Sequence, residues 1–117
     1  MQTEQKALAE AVEYLREGDL DSAHKIAQSR EGEPLADTVH AIIHRREGDY
    51  SNSLYWWHRV GVNAPTELAS LYGSDPAAFV RRCQMASPGS AEAKECHDLQ
   101  ERELDVLATL CEASAHA

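Results

Sequence analysis

His40 and His44 stand four residues apart in a segment patterned as a helix, which puts both imidazoles on one face within reach of a single ion. Far along the chain, Glu103 sits among Cys96, Leu99, Leu107 and Leu110 on the apolar side of another amphipathic segment. An ionised carboxylate left alone among aliphatic side chains takes up a proton instead, so a cation, an imidazolium or a metal ion is expected beside it if it is buried. The available partners are His24, His40, His44, Arg45, Arg46 and Arg59. Three outcomes are open. Glu103 forms a structural ion pair, or it reaches solvent, or it joins His40 and His44, assisted by His24, in a pocket suited to a divalent metal or to general acid–base chemistry. For the histidines the simpler role is packing, with each ring hydrogen-bonded to nearby backbone or carboxylate groups.

The helices that must position these residues are punctuated by a repeated turn. Arg16-Glu17-Gly18-Asp19 recurs as Arg46-Glu47-Gly48-Asp49, thirty residues later, each time between two helical patterns. A glycine just past one helix and an aspartate just before the next supply a C-cap and an N-cap in one short turn, so Gly18, Asp19, Gly48 and Asp49 are expected to act as structural caps. The first helix covers about 4 to 17, with Leu8, Ala11, Val12 and Leu15 at helical spacing. The second runs from 19 to about 28, and the third from about 34 to 47. Leu35, Val39, Ile42 and Ile43 form the apolar stripe of the third, roughly 100 to 160 degrees away from the His40 and His44 face. The fourth, 49 to about 60, holds Tyr50, Tyr55, Trp56 and Trp57.

Between 61 and 75 the pattern weakens to one short helix near 66 to 72. Asp75-Pro76 then opens a fifth main helix to about 86, Ser87-Pro88-Gly89-Ser90 forms a turn, and a last helix runs from 90 to about 113. Period-two alternation is nearly absent, so the fold expected is all-α, one domain over residues 1–117.

Composition limits the partners. Eleven basic against twenty acidic residues give a formal charge of −9, which opposes binding to nucleic acid and to anionic membranes. The polar start, Met1 to Lys6, lacks the apolar run of a signal peptide or spanning helix, and a cytoplasmic protein is expected. Cys83, Cys96 and Cys111 have no CxxC spacing and fall on helices, as reduced core or near-core thiols. No Gly-x-Ser-x-Gly elbow or phosphate-binding glycine loop occurs.

Each hairpin resembles a tetratricopeptide repeat. The likeness covers residues 4–65, with Ala7, Glu10, Ala11, Tyr14, Ala23 and Ala27 in the first unit and Asp37, His40, Ala41, His44, Ser53, Trp57 and Pro65 in the second. Ala11, Ala23, Ala41 and Ser53 are small where two helices of a hairpin must approach closely. The spacing of thirty departs from the family's about thirty-four, the lead aromatic is missing, and two units are fewer than an open solenoid needs. Residues 66–117 are therefore expected to close the stack into a compact bundle. The stretch His40-x-x-x-His44-Arg45-Arg46-Glu47-Gly48-Asp49-x-x-Asn52-x-x-Tyr55-Trp56 also resembles a bacterial and fungal family of small helical proteins with no assigned activity.

The resemblance to tetratricopeptide repeats implies a module that binds a protein or peptide. Arg45, Asn52, Tyr55, Trp56 and Arg59 are the candidate binding surface, with Trp57 assigned to the core and Trp56 outward. The alternative is a small metal-dependent enzyme of hydrolase type, or a metal or ligand sensor, using the histidines and Glu103.

Overall fold

The computed structural model describes the backbone of residues 2–116 and the side chains of residues 6–112; Met1 and Ala117 lie outside the described residues. The described chain is all-α: α1 (Gln2–Glu17), α2 (Leu20–Ser29), α3 (Pro34–Arg46), α4 (Tyr50–Val60), α5 (Thr66–Leu71), α6 (Pro76–Met85) and α7 (Ala91–His116). A 3-10 turn, Gly61–Asn63, occupies part of the segment expected to be irregular.

The repeated tetrapeptide makes the same turn twice. Gly18 and Gly48 adopt φ of 80° and 85°, a region that an L side chain enters only with strain. Beyond them, Asp19 N–H donates to the Tyr14 carbonyl and Asp49 N–H to the His44 carbonyl, both at 2.9 Å, closing the six-to-one bond of a Schellman motif. Each aspartate then starts the next helix. Asp19 accepts from the Ser22 amide at 3.1 Å, and Asp49 from the Asn52 amide at 3.4 Å.

The hairpins α1–α2 and α3–α4 are joined by contact between α2 and α3. Ala11, Ala23, Ala41 and Ser53 are all fully buried, and Ser53 Oγ donates to the Ala41 carbonyl at 2.7 Å, which fastens α4 onto α3. α6 lies on the other flank of α4. α7 runs back along α1 and touches α5 and α6, so the last helix closes the bundle from both ends. Its buried side chains are Cys96, Glu103, Leu104, Leu107 and Cys111, one acid in an otherwise apolar row. Cys83 is half-buried, and all three thiols are free.

Candidate metal centre

Burial of α3 on nearly all sides is what brings its histidines into the interior. α2 and α4 both cover it, and every residue from Ala36 to Arg45 is buried. His40 and His44, one turn apart, meet His24 from α2. One ligand nitrogen from each of the three rings lies within 4.8 Å of the others. His24 stands edge-on to His40 at 4.6 Å and to His44 at 5.4 Å, while His40 and His44 are 4.9 Å apart.

His40 is 3% exposed, and its Nδ1 is buried with no hydrogen-bond partner. Buried ring nitrogens are ordinarily satisfied, and this atom is an exception, as are Arg45 Nε and Trp57 Nε1. Burial first, then the neighbouring His24, His44 and Arg59, pushes the His40 ring down to about 4. The ring is thus neutral near pH 7 and keeps a lone pair to give. His44 is held differently: its Nδ1 donates to Glu47 Oε1 at 2.6 Å, with Asp49 Oδ2 3.9 Å away.

Glu103 does not join this cluster. It is fully buried and pairs instead with Arg45, with Arg46 at 2.9 Å, and with the Tyr72 hydroxyl. Burial alone would raise its carboxyl, but Arg45 and then Arg46 outweigh that and hold it below the ordinary carboxylate range. Of the three outcomes open for Glu103, the structural ion pair is the one observed, and the pocket joining it to His40, His44 and His24 is corrected: the three imidazoles cluster without it. The reason is the side of α3 that each residue occupies: Arg45 and Arg46 reach α7, whereas His40 and His44 reach α2. Tyr72, which stacks on Phe79 at 4.7 Å and has its hydroxyl's pKa pushed well up by burial and by Glu103, had no motif in the sequence to mark it.

The expected binding surface also divides. Arg45 is buried at 2% exposure beneath Glu103, and Trp56, expected outward, is 6% exposed with its ring stacked on His40. Both are corrected from surface to interior. Tyr55 and Arg59 remain on the outside and Asn52 is half-buried, with Arg59 lying over the Trp56 ring at 4.8 Å and reaching Glu31 at 3.8 Å. Tyr55 is 54% exposed and borders a cleft of about 610 Å³ between α4 and the start of α6, shared with Leu54, His58, Pro76 and Arg81.

The chain matches no family model, no curated protein and no solved structure. Among the described residues, no helix is long and apolar enough to cross a membrane. Two members of the histidine site were missed from sequence. Glu47, three residues after His44, was legible from helical spacing, whereas the Trp56 stack was not.

Proposed function

We propose that this protein binds a divalent transition metal on His24, His40 and His44, and that metal occupancy controls the packing of its two hairpins. The observation that carries this is the buried, unpartnered Nδ1 of His40 within a three-imidazole cluster. Imidazole donors favour zinc, copper, nickel and iron over magnesium and calcium. Tetrahedral zinc–nitrogen bonds of about 2.0 Å put ligand atoms about 3.3 Å apart, so binding draws the rings together by rotation about their broad terminal torsions. Three nitrogens leave one coordination position for water or a small ligand. The net charge of −9 favours capture of a cation.

The ion would bridge the hairpins, because His24 belongs to α2 while His40 and His44 belong to α3. A sensor requires such a link between occupancy and packing. Elemental analysis of purified protein and zinc titration by calorimetry test the proposal: about one equivalent is expected, lost in the double variant His40→Ala, His44→Ala. Slower amide exchange in α2 and α3 on zinc addition tests the coupling. Protein that arrives metal-free and takes up neither zinc, copper nor nickel would end the proposal.

Recognition of a protein or peptide partner is the second function, favoured by the cleft beside the exposed Tyr55. Specific co-purification of a protein, lost in Tyr55→Ala and Arg81→Ala, would support it; no enrichment over a charge-matched control counts against it.

A further inference from the structure

We infer that Glu47 is the positioning residue of the three-histidine site, acting through His44 to set which ring nitrogen meets the ion; this rests on the metal-binding function proposed above. A carboxylate oxygen only accepts, so the 2.6 Å contact puts the His44 proton on Nδ1 and the lone pair on Nε2. The carboxylate behind the ring fixes its tautomer and orientation, the role outer carboxylates play at histidine–metal sites.

Glu47 is well placed to hold that ring still. It is the C-cap residue of α3, and its backbone N–H donates to the Ile43 carbonyl at 3.0 Å, so its side chain starts from a fixed point within one turn of His44. Asp49 is the other acid near the same nitrogen, but it lies farther off at 3.9 Å and serves α4 by accepting from the Asn52 amide and side chain. Glu47 is itself partly exposed, with 36% of its side chain in solvent. Burial therefore does not force the contact.

The internal repeat supplies the comparison that separates this role from turn formation. Gly18 and Asp19 repeat the work of Gly48 and Asp49, so those positions are explained by the turn in both copies. Glu17 repeats Glu47, yet the residue three before it is Tyr14 rather than a histidine. A glutamate needed only by the turn would matter equally in both places. One needed by the metal site matters only at 47.

The test is zinc titration of the full chain carrying Glu47→Ala, Glu47→Gln or Glu17→Ala. Glu47→Ala is expected to weaken zinc binding by about 10- to 100-fold, Glu47→Gln by less because an acceptor oxygen remains, and Glu17→Ala by under about twofold. With cobalt as the probe, Glu47→Ala is expected to shift the visible ligand-field bands while the far-ultraviolet dichroism of the metal-free protein stays that of wild type. Zinc affinity of Glu47→Ala within about twofold of wild type, or an equal loss in Glu17→Ala, would overturn the role of Glu47 and leave the site standing. Wild-type protein that binds neither zinc nor cobalt would overturn the site itself.

Discussion

The imidazole of His40 lies flat on the indole of Trp56, with ring centroids 3.9 Å apart and planes 17° from parallel. One face of the ring is thereby covered by carbon, and Arg59 stands over the same indole at 4.8 Å. The stack places a fluorophore against the candidate ligand set. It also explains how a residue in a run of three aromatics comes to be buried.

Copper or nickel bound at the histidines is expected to quench tryptophan emission strongly. Trp56→Phe should remove most of that response and leave the emission of Trp57, which packs on Tyr72 at 5.9 Å. Steady-state fluorescence during metal titration checks this, with zinc as the non-quenching control.

Glu103→Gln is expected to destabilise the fold by about 3–5 kcal/mol, because Arg45 would be left as an uncompensated buried charge. Asp105→Asn, which removes the solvent-exposed partner of Arg16, should cost no more than about 1 kcal/mol. Urea unfolding of both variants measures the contrast. Equal effects would mean that Glu103 is not the anchor between α3 and α7.

Metal-free protein should lose stability as pH falls from about 6.5, the ordinary histidine value, toward about 4, the depressed value of His40. Over that window the unfolded chain binds more protons than the folded one, so stability rises with pH; it is fully present above the window. The groups opposing protonation are His24 on α2, His44 on α3 and Arg59 on α4. Glu103, also depressed, acts lower, below its ordinary 4.5. Melting temperature against pH for wild type and His40→Phe checks this, with a flatter curve expected for the variant between pH 4 and 6.5.

Asp19→Ala and Asp49→Ala should each cost about 0.5–2 kcal/mol through loss of a helix N-cap, and Gly48→Ala about 1–2 kcal/mol through strain at its φ of 85°. Thermal unfolding of the single variants measures each term. A neutral Gly48→Ala would show that the turn relaxes without the left-handed residue.

The hairpins were legible because their signals are local. A glycine at positive φ, an aspartate one residue later and apolar residues at helical spacing each act within a turn or two of backbone, so the repeated Arg-Glu-Gly-Asp marked both turns before any tertiary contact was known. Small residues at Ala41 and Ser53 were legible for the same reason: close approach across a short turn leaves no room for larger ones. The requirement that Glu103 find a cation was also legible, since it follows from the cost of an isolated buried charge.

Which cation it found was a tertiary matter. Arg45 and His44 are adjacent in sequence, but consecutive helical residues point about 100 degrees apart, and only the placement of α7 against one flank and α2 against the other sent the arginine to Glu103 and the histidine to His24. Trp56 and Trp57 divide likewise, because α4 is covered by α3 on one side and α6 on the other. From its own chemistry the sequence determined paired helices, capped turns and an acid in need of a partner. Tertiary structure alone brought His24 to the pair that the spacing of His40 and His44 had already set on one face, because that meeting depends on how α2 crosses α3, which no spacing along the chain encodes.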